Sequence, residues 1–200
     1  MLSWLLSFIF RKPAVAAPRP APRPVAPRPP VGGAAGPTAP KVVPTRTGVA
    51  VTATVAAALA IAIPFVADFE GFYPRVYRDP VGVRTICYGQ TAADGANFSK
   101  IYTKAECMDM LGKDLERYNK YVDACIHVPL PPHRRAALIS FVYNLGQGNL
   151  CNGPVARNIN AGNIAAGCNA MLAYNHAGGE VLPGLTRRRQ AERALCLRSD

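Results

Sequence analysis

The chain has 200 residues, enough for one ordinary domain plus appendages, and a formal charge of +11 that is unevenly spread. Residues 1–67 carry seven cations (Arg11, Lys12, Arg19, Arg23, Arg28, Lys41 and Arg46) and no acid, while residues 68–200 carry the other sixteen cations and all twelve acids. No zinc-finger, RNA-recognition or helix-turn-helix pattern accompanies the charge, and the upstream cations precede an apolar stretch as topology signals do, so nucleic acid is not an expected partner.

Residues 2–10, LSWLLSFIF, are apolar but too short to span a bilayer. Eleven of the nineteen prolines fall in residues 13–44, a Pro/Arg/Ala-rich stretch that predicts an extended, disordered tether through residue 47. Twenty-one uncharged residues follow, from Thr47 to Ala67. Their length suits a membrane helix, but they are rich in alanine and poor in large aliphatics, so residues 48–67 read as a weak transmembrane or signal-anchor segment. The upstream Lys/Arg bias predicts a cytoplasmic N-terminus and an exported remainder. A permanent anchor, a cleaved signal and a segment that later leaves the bilayer are all compatible with this pattern; Phe65, two before Ala67, makes a poor cleavage site.

Residues 68–200 read as an α+β domain in which helices dominate. Residues 64–73 suggest a short helix ending near Gly71, and VYRDPVGVRTICYGQT alternates as a small hairpin does. Thr103 with Glu106 forms a capping-box pattern ahead of Ala105, Met108, Leu111, Leu115 and Tyr118 at helical spacing. Pro129, Pro131 and Pro132 precede HRRAALISFVYNLG, which is apolar on most faces and predicts the central buried helix, closed by a left-handed Gly146. Two short helices with glycine stops come next, then a last helix opened by Thr186.

All six cysteines, Cys87, Cys107, Cys125, Cys151, Cys168 and Cys196, lie in the part expected to be exported. They form no CxxC pairs, the histidines do not group with them, and an even count in an oxidising compartment favours disulfides over zinc, with buried free thiols as the alternative. Sequence alone does not choose the pairing.

The chemistry concentrates in EGFYPRVYRDPVGVRT, where Glu70 stands nine residues before Asp79 and Asp79 six before Thr85. A glycosidic bond is cleaved by two carboxyl groups, one protonating the leaving oxygen and the other steering attack at the anomeric carbon. An acid that must stay protonated near neutral pH needs an apolar wall, which Phe69 and Phe72 could supply. Each residue also has an ordinary reading: Glu70 as a surface helix end, Asp79 as a turn residue before Pro80, Thr85 as a β-branched strand residue.

At those spacings the run resembles the catalytic signature of the phage-type lysozymes. SFVYNLGQGNL at 140–150 resembles that family's core helix and following turn, and AGGEVLPGLTRRRQAERALCL at 177–197 its C-terminal segment. The resemblance covers residues 65–200. It implies a lysozyme-like, mostly helical α+β fold with a small β-hairpin lobe, preceded by the Pro-rich tether and one hydrophobic helix. It implies an endolysin of a phage with a Gram-negative host: a muramidase acting on peptidoglycan glycan strands as a monomer, with no metal or organic cofactor. Glu70 would be the general acid, with Asp79 and Thr85 holding the attacking water in an inverting mechanism. The Ala/Gly-rich segment before Glu70 resembles the family's signal-anchor-release members, which implies an inner-membrane tether through residues 48–67, a periplasmic catalytic domain and release as a soluble enzyme. The Pro/Arg extension departs from that group. The resemblance also implies the pairs Cys87–Cys107 and Cys168–Cys196, with Cys125–Cys151 as the additional pair. A non-catalytic, membrane-tethered module binding the cell wall and a chitin-directed glycosidase are the alternatives. The run Arg187–Arg189 reads as a solvated face with one member pairing to Glu192 or Asp200, and His127, His133 and His176 receive no role.

Overall fold

One unbroken helix, α1 (Arg46–Glu70), runs from the expected hydrophobic segment straight into the first candidate catalytic residue. The computed structural model describes residues 46–78 and 82–199. The apolar N-terminus, the Pro/Arg tether and Asp79 lie outside the described residues. The separate short helix expected over 64–73 is instead the end of α1, which continues through Pro64. A mid-helix proline frees the carbonyl four residues back. Here both Pro64 and Ala60 lie on the exposed side, where that carbonyl need not be buried unpaired.

A stripe of small residues explains how α1 packs. Ala58, Ala62 and Val66, spaced by four, are fully buried and seat the helix against α3 (Pro132–Leu145) and α2 (Lys104–Cys125). Gly112 on α2 permits the approach: a Cβ there would lie 3.3 Å from Ile63 Cδ1.

After Gly71, whose positive φ of 75° turns the chain, β1 (Tyr73–Arg78) and β2 (Arg84–Cys87) pair antiparallel, with Tyr77 opposite Thr85 and Arg78 opposite Arg84. Cys87 sits at φ 57°, unusual for a residue with a Cβ, in a tight turn closed by Ile86 and Gln90. Its disulfide to Cys107 staples the hairpin to α2. α2 begins as expected: Thr103 Oγ1 accepts from the Glu106 N–H, and the Glu106 carboxylate accepts from the Thr103 N–H. Its buried face is Cys107, Leu111, Leu115, Val122 and Cys125, with Met108 and Tyr118 half-buried and Ala105 exposed.

The central helix α3 buries Ala136, Ala137, Leu138, Ile139, Phe141 and Val142, with Leu145 half-buried. Gly146 ends it with φ 79° but ψ 163°, so it leads outward into α4 (Gln147–Cys151) rather than forming the left-handed cap expected. Two short helices follow, α5 (Pro154–Asn160) and α6 (Ile164–Ala170). A second small hairpin, β3 (His176–Ala177) with β4 (Glu180–Val181), was not legible in the sequence. The last helix, α7 (Pro183–Leu197), starts one turn earlier than expected, at proline. Thr186 lies inside it, donating to the Leu182 carbonyl and accepting from Asn175. Disulfides Cys125–Cys151 and Cys168–Cys196 join α2 to α4 and α6 to α7. All three pairs are those the resemblance implied.

Candidate active site

Glu70 is the last residue of α1, where helical carbonyls create a negative end that a carboxylate ordinarily avoids. Arg188 of α7 resolves the conflict. Its Nη1 donates to Glu70 Oε1 at 2.8 Å, and the two side chains are only 6 % and 16 % exposed.

Arg188 is in turn held from the other side. Its Nε donates to Glu192 Oε1 at 3.2 Å, and its Nη2 lies 3.4 Å from both the Ser140 carbonyl and hydroxyl oxygens. The fully buried Glu192 Oε1 also accepts from Ser140 Oγ at 2.7 Å and from Arg189 Nη2 at 2.9 Å. Arg189 Nη2 donates to Asn144 as well, and its Nε lies 2.9 Å from Glu192 Oε2 in poor alignment. Burial works against the charge on Arg188, yet Glu70 and Glu192 outweigh it and hold the guanidinium above its ordinary range. Arg189, with burial dominant over Glu192, is pulled down to about 10.

The arginine run is therefore not a solvated face. Arg187 is exposed, but Arg188 and Arg189 are buried in a network linking Glu70, α3 and α7. The pairing with Glu192 was expected; the contact with Glu70 was missed. Its one sequence signal is the spacing of Arg188 and Arg189, four and three residues before Glu192, which sets the three side chains together on one helix face.

The surroundings of Glu70 differ from the apolar wall expected. Phe69 lies beneath Arg188, with the guanidinium carbon 5.4 Å from the ring centre, and packs against Phe65 in a tilted pair at 5.3 Å. Phe72 is partly exposed beside Tyr88. Thr85, on β2, is 1 % exposed, and its hydroxyl donates to the Val83 carbonyl at 3.1 Å, leaving the oxygen lone pairs to accept. Glu70 on α1 and Thr85 on β2 make no direct hydrogen bond to each other among the described residues, and Asp79 lies outside the described residues.

The Phage lysozyme family model matches residues 67–192, a span that includes both the hairpin and the arginines of α7. The chain belongs to the phage lysozyme family. It is a lysozyme, a glycoside hydrolase of the β-1,4 bonds between N-acetylmuramic acid and N-acetylglucosamine in peptidoglycan. Among similar proteins, the SAR-endolysin of Bacteriophage PS119 is 42 % identical over 128 residues, covering 64 % of this chain and 76 % of the relative. The SAR-endolysin of Enterobacteria phage P21 is 41 % identical over 128 residues, covering 64 % and 77 %. A mutant of P22 lysozyme superposes with a TM-score of 0.64 at 28 % identity, over 70 % of this chain and 97 % of that one. The muramidase domain of SpmX from Asticaccaulis excentricus gives 0.63 at 28 % identity, over 70 % and 96 %. This lysozyme's mostly helical architecture with one small hairpin lobe is the one these structures share.

Proposed function

We propose that this lysozyme is an endolysin that lyses its host, with Glu70 as general acid and Asp79 and Thr85 handling the attacking water. The observation that carries the reading is the Glu70–Arg188 pair: Oε1 is taken by the guanidinium at 2.8 Å, which leaves Oε2 to address the leaving sugar oxygen. In the inverting reaction, water attacks the anomeric carbon from the face opposite the leaving group. Asp79 takes the water proton while Thr85 accepts a hydrogen bond from that water, the glycosidic C–O bond breaks, and Glu70 delivers its proton to the departing oxygen. Room for the water requires carboxyl groups roughly 6.5–9.5 Å apart.

The proposal extends to organisation. Residues 1–47 form the short apolar N-terminus and linker, residues 48–67 a signal-anchor, and residues 68–200 the catalytic domain. The tether holds the enzyme in the inner membrane, N-terminus inside and catalytic domain in the periplasm, as a monomer whose partner is the glycan strand. Three observations support this. α1 holds the one helical stretch, among the described residues, long and apolar enough to cross a membrane, Ala53–Glu70. The same helix also fits the core through Ala58, Ala62 and Val66, as a segment that leaves the bilayer must. The relatives named above carry the words SAR-endolysin.

The test is turbidity loss of outer-membrane-permeabilised Gram-negative cells with the oxidised full chain beside Glu70→Gln and Asp79→Asn. Clearing by the parent alone, with an α-anomeric first product by NMR, is expected. A folded Glu70→Gln protein that clears as fast as the parent would remove Glu70 from the mechanism.

A further inference from the structure

The described residues have six exposed large hydrophobic side chains, and four of them surround the first hairpin: Phe72 and Val76 at 38 %, Val83 at 45 % and Ile101 at 62 % exposure. Ile101 is brought there by backbone, since the Tyr102 N–H donates to the Pro74 carbonyl of β1 at 3.1 Å. Cations are mixed among them. Arg75, Arg78, Arg84, Lys100 and Lys104 are all exposed, Lys100 in an ion pair with Glu106 just beyond, and residues 71–104 contain only two acids, Asp79 and Asp94. Asp94 is already engaged by Arg117 and Thr91. Val76 shares a strand face with Arg78, and Arg78 sits directly opposite Arg84. The catalytic scheme uses none of these apolar and cationic side chains.

Position gives the patch its meaning. α1 ends at Glu70 and β1 begins at Tyr73, so Val76 cannot lie more than about 20 Å from the end of the candidate membrane span. A surface mixing aliphatic and aromatic side chains with arginine and lysine matches the boundary between acyl chains and anionic headgroups. A glycan would instead call for convergent hydrogen-bonding groups, whereas the exposed apolar members here are mainly Val and Ile.

We infer that this face of the β1–β2 hairpin, with the adjoining residues 100–104, docks on anionic lipid headgroups while α1 occupies the bilayer. The inference rests on the signal-anchor reading above and adds a second membrane contact to it. A tethered chain presents this face to the lipid at high effective concentration, so weak individual contacts suffice.

The test uses the full chain reconstituted into vesicles, with photoreactive benzoylphenylalanine introduced separately at Val76, Ile101 and, as a control, Leu172, an exposed apolar residue beyond α6. Lipid adducts are read by mass spectrometry. Expected are adducts at 76 and 101 but not at 172, at least about five-fold stronger with phosphatidylglycerol in the vesicles than with phosphatidylcholine alone, and reduced to the neutral-lipid level by Arg78→Gln with Arg84→Gln. Resistance of the chain to carbonate extraction separates the two ideas. An inserted chain with no adducts at 76 and 101, or one whose adducts shift to muropeptide when sacculi are added, overturns the lipid-docking face alone. A chain that carbonate strips from the vesicles overturns the anchor reading and this inference with it.

Discussion

Arg188 holds Glu70 across 118 positions of sequence: Nη1 meets Oε1 at 2.8 Å while the same guanidinium is fixed from behind by Glu192 and Ser140. The pair joins the last residue of the first described helix to the middle of the last one. Arg188→Gln leaves Glu192 with one guanidinium partner fewer in a fully buried site, and breaking such a pair costs about 3–5 kcal/mol. A lower Tm and a loss of clearing rate of about two orders of magnitude are expected. Arg188→Lys should recover some stability but little activity, because one ammonium cannot serve Glu70 and Glu192 with the planar fork of arginine. Clearing at the parental rate by a folded Arg188→Gln protein would show that this contact does not orient the acid.

The disulfides act on the same geometry. Cys168–Cys196 fastens α7, which bears Arg188, to α6 across a separation of 28 residues. Closing a loop of that size stabilises by about 3–4 kcal/mol in the chain-entropy account. Cys168→Ala with Cys196→Ala should therefore lower the guanidinium-chloride midpoint and, near the new Tm, the activity. Cys87→Ala with Cys107→Ala has a different signature. Cys87 stands two residues after Thr85 in a positive-φ turn, so its removal loosens the hairpin itself. Activity should fall at temperatures where the helical core, followed by circular dichroism, is still intact.

Local signals in the sequence were faithful, and long-range ones were silent. Thr103 and Glu106 cap α2 because a capping box needs only four consecutive residues to agree. The β1–β2 alternation produced a hairpin with Thr85 opposite Tyr77 for the same reason. Pro64 misled because a breaker's cost depends on which side of the helix the freed carbonyl faces, a tertiary fact. Arg188 and Arg189 misled because local polarity predicts exposure, whereas their burial depends on Glu70, Ser140, Asn144 and Glu192 converging from three elements. The roles proposed for Glu70, Asp79 and Thr85 rest on a pattern of spacing, since each residue alone has an ordinary reading.

Acid should weaken the α2 start and the loop before it. Lys100, then Thr103, hold the Glu106 carboxyl down at about 2, well below its ordinary value. Burial pushes Asp94 upward, but hydrogen bonds from Arg117 and Thr91 outweigh it, so it too lies low. Carboxyls depressed in the folded state stabilise it fully above their unfolded pKa, and that contribution disappears as pH falls through the folded value. Tm should therefore decline between about pH 4.5 and 2, and Glu106→Gln should flatten the decline while lowering Tm at neutral pH. Identical Tm-versus-pH curves for parent and Glu106→Gln would rule out this carboxylate as a source of the dependence.

Docking of α1 can be separated from its membrane insertion at Gly112. A Cβ at that position would stand 3.3 Å from Ile63 Cδ1, so alanine requires a small shift of that side chain and leucine overpacks the contact between α2 and α1. Gly112 lies on α2, outside the apolar segment, and its replacement leaves the hydrophobicity of residues 48–67 untouched. If the released helix must pack through Ala58, Ala62 and Val66 to carry Glu70 to Arg188, Gly112→Leu will fractionate with membranes as the parent does yet clear cells far more slowly. Gly112→Ala should fall between them. Destabilisation expected from the overpacked contact is about 1–3 kcal/mol, measurable in the soluble form by urea unfolding. Full lytic activity from a Gly112→Leu protein would mean that the catalytic domain assembles its site without α1 seated on α2, and would relocate the requirement to the last turn of the helix alone.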